Sequence, residues 1–382
     1  MSMAVSLGVS RPTMLLAFAA VVIGIQAWRT PRMHPDALCC DHFYYRSMAA
    51  NIPTVTRAEW DVVQRQTLMP VLYTDVHGAR YLHAGNPLRW QPPYCYRLLT
   101  PLLVGVLTKT GLSIDLGFYA LTAAGLVLAC WGIGLIVART APVWCAAVAM
   151  VAFATHGALT AVNLFDFMLV DPLTYAALAL GIYALIHDRR ALFFVVTTLG
   201  VFNKEIVAAL LPCAVLMHWR RTVPWRTVIA STLILVVYAA ARWLVPVPVN
   251  TYSLFTAFVG VPPHIVFNLW GLFGALGVTA VARFWRGREG WGLLPFFAAL
   301  GISACCVSDV LRVYVLGFPA LVAISTMGMT SLSVVLPSAL LVVQRMLGGE
   351  WLCLLASVTL ELHDGYRWMK CREAAARYCS AV

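Results

Sequence analysis

The sequence predicts an all-α fold: a polytopic transmembrane helical bundle of about ten to twelve spans, with short surface helices in a long first extracytoplasmic loop. Two observations carry this. Of 382 residues, 61% are hydrophobic and only 11% charged, whereas a soluble domain carries about 45–50% apolar and about 25% charged residues. The apolar residues also fall in successive runs separated by short polar turns, as spans of a membrane bundle do. The few charges cannot solvate a water-facing surface of this size, which excludes a soluble enzyme, a disordered chain and a fibrous repeat.

Taken in order, the first apolar run is Thr13 to Trp28, flanked by Arg11 and Arg29. No small-x-small cleavage site follows it, so it reads as a retained signal-anchor helix. Residues 29–97 form the longest polar stretch, rich in Pro, Tyr, Trp, His and Asp. Such a stretch is too long for a turn and is expected to fold on the membrane surface as short helices. The run 98–110 is short and apolar, a surface or re-entrant helix. Spans are then expected near 116–138, 142–162, 172–187, 191–202, 206–219, 227–245, 264–284, 291–306, 312–328 and 331–347. A spanning helix needs about 20 residues, so 191–202 and 206–219 are either one bent helix or two half-helices meeting at Asn203-Lys204-Glu205. The chain thus reads as one transmembrane domain, 1–382: the 29–97 loop, a bundle over 98–348 and a basic tail over 349–382.

Charge sets the orientation. With the N-terminus cytoplasmic, the inner turns hold Arg139, Arg189-Arg190, Arg220-Arg221-Arg226 and Arg283-Arg286-Arg288. The short outer turns, 163–171, 246–263 and 308–309, are nearly free of basic residues, as the positive-inside rule requires. The 29–97 loop therefore lies outside, in a periplasm or lumen. The same scatter of single and paired arginines explains the net charge of +11 and argues against nucleic acid, whose ligands cluster on one face. Only Lys109, Lys204 and Lys370 are lysines among the 27 basic residues, a bias that hints at a GC-rich bacterial genome and so at a bacterial inner membrane.

Most of the eleven cysteines sit in apolar runs as small hydrophobes. Cys39, Cys40 and Cys95 share the outer loop and could pair there. No His/Cys cluster has zinc spacing, and no Gly-rich loop suggests ATP or a dinucleotide. No metal site is assigned.

Charges near apolar segments are costly, about 2.5–3.5 kcal/mol each at mid-membrane, so five groups carry the functional argument. Asp41, beside His42 and followed by Tyr44, Tyr45 and Arg46, is either a general base or a solvated cap of a surface helix. Arg97, after Tyr94-Cys95-Tyr96, either offers its fork to a phosphate at headgroup level or anchors the interface. Asp166 and Asp171 share one outer turn; Asp171 is expected to cap the helix starting at Pro172, which leaves Asp166 as the functional candidate. Lys204 and Glu205 interrupt the 191–219 stretch, either as a neutral pair or with Lys204 turned to a cavity as an anion ligand. Asp309 and Arg312, three apart on one helical face, either neutralise each other or complete a charged outer cavity with Arg97 and Lys204.

Asp41-x-x-Tyr44-Tyr45-x-x-x-Ala49, the run Tyr96-Arg97-Leu98-Leu99-Thr100-Pro101-Leu102-Leu103, the mid-chain Lys204-Glu205 and Asp309-x-x-Arg312 with Pro319 occur in one order and on one side. In this the chain resembles the GT-C superfamily of integral-membrane glycosyltransferases, loosely over residues 10–330. The resemblance implies a GT-C-like bundle that takes a sugar from a polyprenyl-phosphate donor and passes it, with inversion, to an extracytoplasmic acceptor. By position it assigns the base to Asp41 and the donor phosphate to Arg97, Lys204 and Arg312. His42, Tyr45, Arg46, Tyr96, Asp166, Asp171, Glu205 and Asp309 are supporting residues. The implied partners are a lipid-phosphate-linked sugar, a lipid- or glycan-linked acceptor and membrane lipids, with no nucleic acid. Many members carry a second acid beside the first-loop Asp. Here His42 stands instead, which puts the base in question and leaves a divalent cation open, with no cofactor assigned. The length leaves no room for a large soluble C-terminal domain, so a small or lipid-linked acceptor is expected over a folded protein. The alternatives are a multi-pass transporter or flippase and a non-catalytic scaffold of the same shape.

Overall fold

The computed structural model describes residues 10–32, 45–46, 48–49, 70–74, 80–84, 97–218, 224–244, 265–284, 288–305, 310–326 and 337–341. The chain is predominantly helical. Among the described residues three helices are long and apolar enough to cross a bilayer: α1 (Arg11–Arg29), α3 (Ile114–Val137) and a third within Pro224–Leu244. A fourth span results if α4 (Val143–Thr155) and the segment Gly157–Phe165 are counted together across a 62° bend at His156. α8 (Pro224–Leu244) carries the third span, and α9 (Ile265–Arg283) equals α1 in length; α2 (Leu99–Thr108), α5 (Asp171–Ile186), α6 (Arg190–Asn203), α7 (Leu210–His218), α10 (Leu294–Cys305), α11 (Val310–Tyr314) and α12 (Phe318–Ser325) are shorter. Sixteen residues rise about 24 Å, less than the hydrocarbon thickness of about 30 Å. Composition marks the apolar runs correctly, but backbone breaks divide them: His156, Lys204 and a non-helical Gly274 at φ +46 each interrupt one.

One stretch departs from the expected surface helices. Pro70–Thr74 (β1) and Arg80–Ala84 (β2) pair as an antiparallel hairpin, with Tyr73 opposite Tyr81 and Leu72 opposite Leu82. β-branched and aromatic residues favour strands, and the Gly78 between the two segments is a hairpin signal.

The bundle is built around α5. Thirteen of its sixteen residues are buried, so this is a helix apolar on every side, as a central one must be. Between helices in lipid there is little hydrophobic driving force, and small residues allow the close contact that holds them together. Gly125 and Gly132 of α3, seven apart on one face, meet Pro172 and Ala179 of α5, also seven apart. A Cβ on Gly125 would lie 2.8 Å from the Pro172 carbonyl carbon, and one on Gly200 of α6 would lie 2.7 Å from the Ala177 Cβ. α5 ends in a left-handed Asp188 (φ +55), and the Arg189 N–H closes back on the Ala184 carbonyl, a Schellman-type stop. In contrast, α8 presents Val228, Ile229, Leu233, Val236 and Val237 outward, a face suited to lipid.

Candidate functional site

The end of α6 lies between the start of α5 and the start of α2, and each approach is fixed by polar contacts. Asn203, the last residue of α6, is fully buried. Its Nδ2 donates to the Val170 carbonyl at 2.6 Å and to the Thr174 hydroxyl at 2.9 Å, and its Oδ1 accepts from Thr100 of α2 at 2.6 Å. Three helix ends are thereby tied at one point, and all four of these buried polar groups gain a partner. The next residue, Lys204, leaves helical geometry at φ −159 and ψ 131 before the 3₁₀ turn Glu205–Ala209. This break turns two adjacent charged side chains to different partners, which a continuous helix would not do.

Lys204 Nζ donates to Asp171 Oδ1 at 2.5 Å, and Arg312 Nε of α11 donates to Asp171 Oδ2 at 2.5 Å. Glu205 faces Arg97, Oε2 to Nε at 3.6 Å, and Arg97 Nη1 donates to the Tyr45 hydroxyl at 3.0 Å. The Asp171 side chain is fully buried, while those of Lys204, Arg97, Arg312 and Glu205 keep 12, 14, 23 and 31% of their surface. The cluster is thus reachable, with its carboxylate hub deepest. Burial opposes the Arg97 charge, but the Tyr45 oxygen and the Glu205 carboxylate more than offset it, so the guanidinium is held above its ordinary pKa. Next to Tyr45, Arg46 lies 3.5 Å from Asp115 in the first turn of α3.

Arg97, Lys204 and Arg312 thus gather with two carboxylates beside the N-terminus of α5. That helix end adds its own partial positive charge. Partly exposed cations grouped at a helix N-terminus are an arrangement that can take an anion. Arg97 and Arg312 supply flat donor forks for phosphate or carboxylate oxygens, and Lys204 a point charge.

No match to this chain was found among family models, curated proteins or solved structures.

The sequence expectations are met unevenly. Arg97, Lys204 and Arg312, some two hundred residues apart at the extremes, do converge, with Glu205 and Tyr45 beside them. Asp171 is expected from the sequence to cap its helix, and otherwise to play a supporting part. Instead Val170 holds the N-cap position, and the Asp171 carboxylate is spent on Lys204 and Arg312. Asp166, expected to be the functional acid of that turn, sits half-buried in the turn leading to α5. Arg46 reaches Asp115, which no motif in the sequence marks. Asp41, His42, Tyr96 and Asp309 lie outside the described residues. Among the described residues no group of three His, Cys, Asp or Glu side chains stands together as a metal site would require. Asn203 reads in the sequence as one member of the polar triplet 203–205, yet it ties the three helix ends. The signal available was its position: an amide inside an apolar run needs buried partners.

Proposed function

We propose that this chain is a polytopic membrane glycosyltransferase of GT-C type, using a polyprenyl-phosphate sugar donor at the extracytoplasmic face. The observation that supports this best is that Lys204 and Arg312 meet on the buried Asp171, with Arg97 on Glu205 beside them, at a helix N-terminus and with residual exposure. In such a transfer an acceptor hydroxyl attacks the anomeric carbon from the side opposite the phosphate. The carbon–oxygen bond to phosphate breaks with inversion, and the hydroxyl proton passes to a carboxylate base, for which Asp41 is the candidate. The lipid phosphate departs as an anion and needs no proton, so the chain's task at that end is charge stabilisation by preorganised cations. Asp171 and Glu205 hold those cations in place, and Asn203 fixes the helix ends that carry them.

The break at Lys204 and the bend at His156 also suit the second reading, a transporter or flippase of an anionic lipid-linked substrate, because discontinuous helices line transport sites. One assay separates the two. Purified protein is given a radiolabelled polyprenyl-phosphate sugar and a mixture of lipid-linked acceptors. The enzyme reading expects transfer by wild type, loss in Asp41→Asn, and a deep loss in Arg312→Gln. Movement of the donor across vesicles with no transfer supports the transporter, and equal transfer by wild type and Asp41→Asn rejects Asp41 as the base.

A further inference from the structure

The two carboxylates of the cluster differ in what holds them. Asp171 is fully buried, and each of its oxygens accepts from a cation at 2.5 Å, one from Lys204 and the other from Arg312. Glu205 keeps 31% of its side-chain surface, and its Oε2 stands 3.6 Å from Arg97 Nε, beyond hydrogen-bonding distance. The backbone makes the difference. Lys204 is extended at φ −159 and ψ 131, so it and Glu205 turn to different partners, and Glu205 opens a 3₁₀ turn instead of continuing α6. The groups that face Glu205 are Arg97, ahead of α2, and Tyr238 of α8, whose hydroxyl pairs with Arg242.

The Asp171 charge is thus met by direct bonds at both oxygens, and the Glu205 charge across a wider gap and by solvent. An anion that takes a place on the Arg97 fork comes close to this second carboxylate. Like charges so placed disfavour each other's ionised form, and the repulsion grows with every charge the incoming group carries. In the transfer proposed above, the two phosphates that visit the site differ in this respect. The donor is a phosphodiester with one negative charge. When its bond to the anomeric carbon breaks, the electron pair stays with the phosphate oxygen and the acceptor's proton goes to the base. The product is therefore a monoester, which takes its second charge with a pKa of about 6.

We propose that Glu205 sets the charge selectivity of this site, favouring a singly charged phosphodiester over a doubly charged phosphate monoester. This rests on the reading of the Arg97–Lys204–Arg312 cluster as a phosphate site. The effect is to loosen the product and let fresh donor replace it. In the transition state the second charge is still developing, so the full penalty is reached only once the product has formed. Asp171 does not act in this way, because both of its oxygens are already engaged.

The test measures binding of two probes to purified protein in phosphatidylcholine nanodiscs: citronellyl phosphate, a monoester, and methyl citronellyl phosphate, the matching diester. At about pH 8 the monoester carries two charges and the diester one, and at about pH 5 both carry one. Glu205→Gln is expected to lower the ratio of monoester to diester Kd about tenfold at the higher pH, the effect of about one pKa unit. At the lower pH the same substitution should move the ratio less than about twofold. Glu205→Asp, which keeps the charge, should stay close to wild type in both conditions. Thermal unfolding confirms that Glu205→Gln folds; if it does not, Glu205→Ala carries the same comparison. A ratio that does not move at the higher pH, or that moves equally at both as a packing defect would make it, overturns the proposal. Arg97→Gln tests the reading beneath it and should weaken both probes about tenfold or more. If it does so while Glu205→Gln leaves the ratio unmoved, the selectivity alone falls. If both probes bind Arg97→Gln as they bind wild type, the phosphate site falls with it.

Discussion

Asp171→Asn removes the charge at the hub and almost nothing else, since the amide is the same size and shape. In the native chain the buried carboxylate accepts from both Lys204 and Arg312. With Asn in place, two cations face each other with no anion between them. Breaking a buried ion pair by removing one partner costs about 3–5 kcal/mol, and that is the expected loss. The cost does not fall equally on the two cations, because a buried ammonium can shed its proton whereas a guanidinium cannot. Arg312→Gln alone should cost less, about 1.5–3 kcal/mol for one charge-assisted bond, since Lys204 still neutralises Asp171. The double variant Asp171→Asn with Arg312→Gln should be no less stable than Asp171→Asn alone, well short of additivity. Pairing Asp171→Asn with Lys204→Met should recover less. Reversible unfolding by SDS from mixed micelles measures all five proteins. The reasoning is refuted if Asp171→Asn lies within about 1 kcal/mol of wild type, or if the Asp171 and Arg312 effects add to within about 0.5 kcal/mol.

Three further outcomes follow from the packing and the charges. Gly125→Ala sets a Cβ against the Pro172 backbone, which cannot rotate away, and should cost about 1–3 kcal/mol. Gly24→Ala, with nothing within 4 Å of its Cβ, should stay within about 0.5 kcal/mol of wild type in the same assay. Asn203→Leu strands the Val170 carbonyl and two hydroxyls and should cost about 1–3 kcal/mol for each group left without a partner; Thr100→Val, which releases only one bond, should cost less. At the end of α5, burial and then Arg139 and Arg189 hold His187 below its ordinary value. The unfolded chain therefore takes up that proton first, so this contribution to stability is present above about pH 6.5 and is lost as pH falls below it. Histidine NMR should show a depressed titration for His187 that rises in part in Arg139→Gln, and an unmoved titration would remove the arginine from the account.

What the sequence disclosed depended on whether the signal was local. Apolar runs are local, so the helix around Ile114–Val137, the short piece at Leu99–Thr108 and the interruption at Asn203-Lys204-Glu205 were all legible. Whether a run stays one helix is not a matter of composition. His156 lies inside an expected span with no proline or glycine pair to announce a 62° bend, and its Nε2 pairs with the Leu272 carbonyl of a distant helix. The candidate cations were legible because charge is expensive in an apolar chain, so few residues had to be considered. The hub was not. Asp171 before Pro172 satisfies a local rule for helix starts, and that sufficient local role hid its partners 33 and 141 residues away. The strands Pro70–Thr74 and Arg80–Ala84 are five residues each and lack a clear apolar/polar alternation, so within a long polar stretch no local periodicity marks them.

The central claim is that Arg97, Lys204 and Arg312 together hold an anionic phosphate. Single removals of these cations leave each carboxylate with a partner or partly in contact with solvent, so the fold should tolerate them. The direct measurement is binding of undecaprenyl phosphate to the purified protein in nanodiscs by native mass spectrometry. It compares wild type with Arg97→Gln, Lys204→Met and Arg312→Gln. Each charge-assisted bond to phosphate is worth about 1.5–3 kcal/mol, so each variant should bind about tenfold or more weakly. Binding within about twofold of wild type in all three variants would contradict the account.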